Sequence, residues 1–266
     1  MKAFLPIQPP MLQRAGTDAS CRYQEFAPCK PLAPYVACYW TLDACSADAP
    51  LLHRIIPDGC VDIIVDLRSS SIETFAVGLM TGYETVSLTE SSSFGIRFYP
   101  EHAHRFLTCP VSELKGGHVG LDDLWGTRAG DLAEQAGEAR GIQERIEQVE
   151  RSLLQALCRN EGRTDPLFHA GMQYIFSEQA RLSVRAVADQ LGTSERNLRR
   201  AFQCSLGISP KELLGILRFQ FFLQTLRANP SSPFTDVALD MGYYDQPHAI
   251  RTFKRLYGLL PHQVFS

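Results

Sequence analysis

The sequence predicts an α+β protein of two domains: a mostly-β N-terminal barrel with following helices, and an all-α C-terminal domain of two helix-turn-helix units joined by a linker helix. Three observations support this prediction. The 266 residues suffice for two domains that each bury a core. Residues 20 to about 128 contain short apolar runs bounded by turn residues. The last hundred residues or so contain an internal repeat.

Composition is that of an ordinary globular protein, with 45% hydrophobic and 21% charged residues. Residues 1–11 hold no apolar run long enough for a secretory signal, and no later segment reaches membrane-spanning length. We therefore expect a cytoplasmic protein with no membrane partner. None of the eight cysteines forms a CxxC pair or a zinc-finger spacing, so we expect inert thiols and no cofactor.

The N-terminal region contains the predicted strands. Residues 60–67 form an almost continuous apolar run, residues 94–99 alternate in polarity, and residues 57–59 have the composition of a turn. A small β-barrel accounts for these features most simply.

Helical spacing begins after the strands, over residues 131–158. An apolar stripe follows 4-3-4-3 spacing there and consists of Ile142, Ile146, Val149, Leu153 and Ala156. This stripe fits a coiled-coil contact with a second chain, and it equally fits packing onto the chain's own barrel, since two heptads are marginal in isolation. Residues 160–166 have the composition of a polar linker.

Charge is distributed unevenly along the chain. Residues 166–266 carry 11 Lys/Arg against 7 Asp/Glu, a net charge of +4, whereas the rest of the chain carries 15 against 22, a net charge of −7. A basic C-terminal region on an acidic body is typical of a nucleic-acid-binding module joined to a domain that does not itself bind DNA.

The C-terminal region repeats one pattern twice. Val187 and Val237 begin equivalent segments 50 residues apart, while Ser194 and Asp245 are 51 apart, so the second turn is one residue longer. Each copy predicts two helices that meet at a glycine-led turn.

The first copy predicts a DNA-recognition helix after Ser194. Ser183 and Ser194 are suitable N-caps, Gly192 suits the turn between the helices, and Leu198 and Phe202 face inward. The outward residues suit bidentate contacts with guanine or clamping of phosphates. They are Arg196, Asn197, Arg199 and Arg200.

The second copy predicts an equivalent helix after Asp245. Pro247 falls in its first turn, where a missing N–H costs least, and Ala249 and Phe253 face inward. The outward side chains can hydrogen-bond base edges or phosphates. They are Gln246, His248, Arg251 and Lys254.

An amphipathic helix over residues 210–227 is predicted to join the copies and to fix their separation. Major-groove faces on one side of B-DNA recur about every 34 Å, so two rigidly linked recognition helices can enter adjacent grooves. One such helix alone would be read as a solvated cationic surface, but duplication of the whole unit favours DNA binding.

These residues resemble the C-terminal domain of AraC/XylS transcriptional regulators, from about Leu182 to Val264. The most specific part is residues 242–246 and 253–258, followed by Pro261. Ala249 departs from the larger apolar residue that is usual in the family, and the adjacent Ile250 is a candidate to compensate. The resemblance implies that Pro247 also faces DNA; it offers no hydrogen-bond donor, so sequence discrimination is expected mainly from the first unit, with the second setting register.

The N-terminal segments 35–40 and 56–59 resemble an uncharacterised variety of the cupin-like domain found in that family. The resemblance implies a small-molecule effector of open class and a homodimer formed through the helix at residues 142–153. We accordingly divide the chain into a sensor and dimerisation domain (1–159), a linker (160–166) and a DNA-binding domain (167–266).

The sequence therefore predicts a DNA-binding transcriptional regulator that is not an enzyme. Its expected partners are double-stranded DNA, a second copy of the chain and, for an activator, RNA polymerase. One alternative is a β-barrel enzyme with a helical tail, although no nucleophile–base pair or phosphate loop appears at a recognisable interval. The other alternative is a protein-interaction module, which predicts no DNA binding.

Two further candidate sites come from the N-terminal region. A cupin-type metal site is not expected, because its potential ligands lack diagnostic spacing. They are His53, Cys60, His102, His104 and His118. Four aromatic residues either line an effector pocket or belong to the core. They are Tyr39, Trp40, Phe98 and Tyr99.

Overall fold

The structure is a computed structural model that describes residues 4–9, 21–45, 51–67, 72–88, 90–107, 109–114, 117–159 and 165–265. Within these ranges, eight strands precede nine α-helices, which confirms the α+β class. The strands are β1 (Cys21–Phe26), β2 (Val36–Cys45), β3 (Leu51–Ile55), β4 (Val61–Asp66), β5 (Glu73–Val77), β6 (Glu84–Leu88), β7 (Glu90–Phe98) and β8 (His118–Gly120). The helices are α1 (Leu121–Trp125), α2 (Thr127–Glu138), α3 (Ile142–Arg159), α4 (Pro166–Ser177), α5 (Val184–Gln190), α6 (Glu195–Leu206), α7 (Pro210–Ala228), α8 (Phe234–Asp240) and α9 (Gln246–Tyr257).

The strands form two antiparallel sheets. Six strands pair in the order β1-β2-β7-β4-β5-β8, and β3 pairs with β6. Alternation along β4 gives the large sheet two faces, since Val61, Ile63 and Val65 enter the main core while Ile64 packs with a separate cluster around Trp40. The predicted barrel is thus a pair of sheets, and among the described strands β1 and β8 remain the edges of the larger one.

The small sheet lies near the second face of the large one. Leu88 of β6 packs with the buried cluster of Cys38, Trp40 and Leu42. Trp40 lies opposite Gly95 on β7, where any side chain would collide with the indole ring. Glycine at position 95 therefore makes room for the tryptophan between the sheets.

An ion cluster is buried on this same face. Arg97 of β7 is 3% exposed and donates to both carboxylate oxygens of Asp62, at 3.1 and 2.9 Å. Its Nε lies 3.1 Å from Asp58 Oδ2, and its Nη1 lies 3.6 Å from Glu25 Oε1. Burial of this guanidinium is tolerable because several carboxylates surround it.

The apolar stripe on α3 lies in the core of the single chain. Ile146, Val149 and Leu153 are 6%, 0% and 1% exposed and pack with the large sheet and α2. Glu150 of the same helix accepts a hydrogen bond from the Cys29 N–H at 2.6 Å. The assignment of Ile142, Ile146, Val149 and Leu153 to a dimer contact is therefore wrong for the three buried residues, because the chain's own core already covers them.

The helix that joins the two repeats differs from its prediction. The expected amphipathic helix 210–227 is α7, with almost the predicted bounds, but it is buried on nearly every side. Only Lys211, Glu212, Arg227 and Ala228, at its two ends, are exposed. The prediction of one polar face is wrong, since both repeats and the N-terminal domain pack around this helix.

The contact between α7 and the N-terminal domain centres on Gln220, which has no exposed surface. Its side chain accepts from the Ile7 N–H at 2.7 Å and donates to the carbonyls of Ile7 and Pro57 at 3.2 and 2.8 Å. Gln8 in turn donates to Asp58 of the ion cluster at 2.9 Å. Gln8 and Asp58 directly follow the two residues that Gln220 contacts, so the backbone and these hydrogen bonds together connect Arg97 to the centre of α7.

The predicted linker lies mostly outside the described residues, which resume at Asp165. Asp165 Oδ1 accepts from the N–H groups of Leu167 and Phe168, so it caps α4, and Pro166 is the first helical residue. Asp165 and Pro166 therefore belong to the start of a helix and not to the linker. One apolar cluster includes both Leu132 and Phe168, so the core continues across the predicted domain boundary.

Candidate nucleic-acid interface

The two repeats fold into matching pairs of helices. α5 and α8 each have seven residues, and α6 and α9 each have twelve. Four glycines with φ between +60° and +84° follow these helices, a backbone region that favours glycine. They are Gly192, Gly207, Gly242 and Gly258. The turn spans residues 191–194 in the first unit and 241–245 in the second, as the repeat spacing predicts.

N-caps begin both recognition helices at the predicted residues. Ser194 Oγ accepts from the Asn197 N–H at 3.2 Å, and Asp245 Oδ1 accepts from the His248 N–H at 2.7 Å. Ser183 caps α5 through the Ala186 N–H at 3.1 Å, whereas α8 follows Pro233 without a side-chain cap. The units therefore differ in how their first helix begins.

Equivalent residues hold each recognition helix in place. Leu198 and Phe202 of α6 are fully buried, and Ala249 and Phe253 of α9 are 1% and 0% exposed, as predicted. Phe202 packs edge-on against Phe168 with ring centroids 5.1 Å apart. Phe253 makes the matching edge-on contact with Phe219 of α7, at 5.6 Å. Both helices thus present one fixed face outward.

The outward face of α6 is basic. All four predicted DNA-facing residues of this helix are exposed; they are Arg196, Asn197, Arg199 and Arg200. No residue in the described part of the chain forms an ion pair with any of these three guanidinium groups. Three cationic groups on one exposed helix face are suited to phosphate oxygens and to the O6 and N7 acceptors of guanine.

The outward face of α9 is more mixed. Gln246, Arg251 and Lys254 are exposed, whereas His248 is half-buried. The His248 ring packs edge-on against Tyr243 at 5.5 Å, and its Nδ1 accepts from the Tyr244 N–H at 3.4 Å. With Nδ1 used as an acceptor within the turn, Nε2 is the ring nitrogen left to contact DNA.

Tyr244 is a candidate contact that sequence reasoning missed. It is 88% exposed directly before the cap of α9, while the adjacent Tyr243 is 5% exposed and packs on Phe222 with ring centroids 5.4 Å apart. The sequence signal for this contact is the pair of adjacent tyrosines in a turn, since one of the two side chains remains exposed to solvent. An exposed phenol beside a recognition helix can contact a sugar, a phosphate or the methyl group of thymine.

The structure does not bring the five potential metal ligands together. No group of three or more His, Cys, Asp or Glu side chains in the described ranges is placed to hold a metal ion. His53 lies on β3 and His118 on β8, Cys60 lies just before β4, and His102 and His104 lie at a 3₁₀ turn (Ala103–Arg105). Burial lowers the pKa of His102 to about 4, reinforced by the nearby charges of His169 and Arg105.

The four candidate pocket aromatics lie in different places. Tyr39 and Phe98 are fully buried in the main core, whereas Trp40 lies on the opposite face of the sheet. Tyr99 donates its hydroxyl proton to the carbonyl of Phe4 at 2.9 Å. Tyr39, Phe98 and Tyr99 therefore belong to the main core and Trp40 to the cluster on the opposite face, so the four do not line one common pocket.

No helix in the part of the chain that the structure describes is long and apolar enough to cross a membrane.

Two family models match the chain. The model described as a helix-turn-helix domain matches residues 187–266, and the model described as a domain of unknown function (DUF6597) matches residues 24–120. No curated protein matches the chain.

Several solved structures are similar to this chain. The C-terminal domain of AraT, a response regulator from Geobacillus stearothermophilus, is 29% identical over 39% of this chain and 87% of its own length, with a TM-score of 0.36. ToxT from Vibrio cholerae is 12% identical over 92% of this chain and 98% of its own, with a TM-score of 0.42. An unsaturated-fatty-acid-bound form of ToxT is 12% identical over 95% and 97%, with a TM-score of 0.43.

The duplicated units, their exposed recognition faces and the family match over 187–266 define a DNA-binding transcriptional regulator. Its C-terminal domain is a helix-turn-helix domain of the AraC type, preceded by an N-terminal domain of the DUF6597 family.

Proposed function

We propose that α6 and α9 enter adjacent major grooves on one side of a single DNA duplex. The observation that carries this proposal is the packing of α7 between the two units. α7 has 19 residues and spans about 28 Å at 1.5 Å per residue. A helix buried along its length holds both recognition helices at a constant separation, which suits grooves that recur about every 34 Å.

The two recognition helices have different roles in this proposal. Arg196, Arg199 and Arg200 supply the main sequence discrimination, since unpaired guanidinium groups make bidentate contacts with guanine. α9 sets the register on the duplex through phosphates and a few base edges. Its contacts come from Tyr244, Gln246, His248, Arg251 and Lys254.

The test measures DNA affinity of the full-length protein by fluorescence anisotropy, using duplexes selected in vitro from a random pool. Wild type should bind with a strong dependence on salt concentration, because phosphate contacts release counterions. The variant Arg196→Ala/Arg199→Ala/Arg200→Ala should lose at least tenfold in affinity, together with its preference for the selected sequence, since each bidentate contact contributes about 1–3 kcal/mol.

A matched control removes two exposed arginines outside the interface, Arg140→Ala/Arg151→Ala. This variant should keep both affinity and preference. Equal affinity of the triple variant and wild type for the selected duplexes would show that α6 does not read DNA. No binding of duplex DNA by wild type would favour the interaction-module alternative.

The N-terminal domain is proposed to sense a small molecule and to join two copies of the chain. Because the α3 stripe is buried, a homodimer has to use another surface of the molecule. Light scattering of the full-length protein at micromolar concentration measures this directly: a mass of one chain contradicts the homodimer, and a mass of two supports it. RNA polymerase is a further partner if the regulator activates transcription, and no catalytic step forms part of the proposal.

A further inference from the structure

A cleft outside the space between the two sheets has the composition of a ligand site. It has a volume of about 310 Å³ and lies between α2, α3 and the segment 105–107. This volume is at the lower end of the range found for small-molecule sites, roughly 300–1,000 Å³. The residues with the least exposure at the cleft are apolar: Phe106, Leu107 and Leu132 are 3%, 2% and 3% exposed.

Trp125, at the end of α1, forms a fixed part of the wall. Its Nε1–H donates to the Phe106 carbonyl at 2.7 Å, which holds the edge of the indole ring against the segment 105–107. Opposite, Ser152 donates to Gln135 at 3.2 Å and joins α3 to α2. The cleft therefore combines an aromatic surface with polar groups that are already held in position.

The charges that line the cleft are mainly positive. Arg105 and Arg159 contribute two guanidinium groups, against one carboxylate from Asp131. Arg105 lies over the Tyr35 ring, with its guanidinium carbon 5.6 Å from the centroid, so its position is restricted. Arg159 is exposed at the last residue of α3 and can approach a bound anion. A guanidinium group suits the two oxygens of a carboxylate.

We propose that this cleft binds a small organic anion with one apolar ring, the ring packing on Trp125 and the carboxylate lying between Arg105 and Arg159. This inference rests on the proposed function, since it names the site and ligand class of the expected effector.

The cleft is connected to the first recognition helix through a short stretch of chain. The wall residues 105–107 lead to a 3₁₀ turn (Val111–Leu114), where Ser112 Oγ donates to the Cys204 carbonyl of α6 at 2.9 Å. The same turn lies so close to Gly207 that a Cβ there would be 3.1 Å from Ser112 Cα. The segment that forms the cleft wall thus lies a few residues before the one that contacts the C-terminal end of α6.

The experiment is a ligand-observed ¹⁹F NMR titration of the full-length protein with 4-(trifluoromethyl)benzoate and, separately, with the neutral 4-(trifluoromethyl)benzamide. The benzoate should bind at least tenfold more tightly than the amide. Arg159→Gln should weaken benzoate binding about tenfold, because a charged hydrogen-bond donor is lost from an exposed position. Arg151→Gln removes an equal charge from an exposed part of α3 and should leave binding unchanged.

A second variant tests the cleft independently of charge. Ala156→Phe fills space in the wall and should abolish binding of the benzoate, with thermal unfolding used to show that the variant is folded. Equal affinity for benzoate and amide, or unchanged binding by Arg159→Gln and folded Ala156→Phe, would overturn the proposal. The titration contains no DNA, so it tests the cleft separately from DNA binding. If the wild-type protein binds the benzoate but does not bind duplex DNA, only the proposed function is contradicted.

Discussion

At the residue scale, the fold shifts the protonation of two neighbouring side chains in opposite directions. Burial raises the pKa of Glu101 to about 7, whereas burial lowers the pKa of His102 to about 4. The folded protein therefore binds more protons at Glu101, and fewer at His102, than the unfolded chain does. As pH rises from 4.5 to 7, the ionisation of Glu101 makes the folded protein progressively less stable. As pH rises from about 4 to 6.5, the opposite shift of His102 makes it progressively more stable.

Glu101→Gln should remove the destabilising effect of the buried Glu101 carboxylate. At pH 8 we expect the variant to be more stable than wild type by up to about 3 kcal/mol, and at pH 4.5 we expect a much smaller difference, because Glu101 is then protonated in the folded state. Urea unfolding at both pH values measures the change. Glu147→Gln, at an exposed position on α3, controls for net charge. A difference between Glu101→Gln and wild type that does not vary with pH would contradict the explanation.

At the element scale, the two recognition helices begin with caps of different strength. Asp245 offers a charged acceptor at 2.7 Å, and Ser194 a neutral one at 3.2 Å. Carboxylates at helix N-termini also interact favourably with the helix dipole. Although α9 has the less basic outward face, its first turn is therefore the more strongly held of the two.

Asp245→Ala and Ser194→Ala should each cost about 1 kcal/mol of stability, with the larger loss for Asp245→Ala. Thermal unfolding measures both losses. Anisotropy with a selected duplex should show weaker binding for both variants, since each recognition helix loses its fixed first turn. Glu134→Ala, at an exposed position on α2, should change neither property. An Asp245→Ala variant as stable as wild type would show that the cap contributes nothing to α9.

The sequence predicted these helices well because their signals are local. Spacings of four residues, such as Leu198 to Phe202, and cap residues such as Ser194 operate within one or two turns. The sequence did not predict the burial of α7, since the groups around Gln220 belong to Ile7 and Pro57, more than 160 residues away. The apolar stripe on α3 could pack on a second chain or on the chain's own barrel, and both contacts require the same residue spacing. Only the folded structure shows which contact forms.

At the scale of the whole molecule, the N-terminal domain contacts both helix-turn-helix units. The 3₁₀ turn containing Ser112 contacts the end of α6. Arg54 of β3 lies over the rings of Tyr83 and Tyr257, with its guanidinium carbon 5.6 and 5.9 Å from their centroids, next to the end of α9. Together with Gln220, these contacts join both units to the N-terminal domain, while the outward arginines of α6 and α9 remain exposed.

Gln220→Leu should be strongly destabilising although the volumes are similar. The change leaves the Ile7 N–H, the Ile7 carbonyl and the Pro57 carbonyl without their buried partner, and each such group costs about 1–3 kcal/mol. We expect a loss of roughly 3 kcal/mol or more in urea unfolding. Gln143→Leu, at an exposed position on α3, should have little effect. A loss below about 0.5 kcal/mol for Gln220→Leu would contradict the importance of this contact.

Methylation interference at guanine N7 tests the central claim most directly, because this atom is read only from the major groove. On a selected duplex, wild type should show two clusters of interference centred about one helical turn apart on the same side of the DNA. The triple arginine variant should lose the cluster read by α6 and keep the other. A single cluster for wild type, or two clusters on opposite sides of the duplex, would contradict two rigidly linked recognition helices in adjacent major grooves.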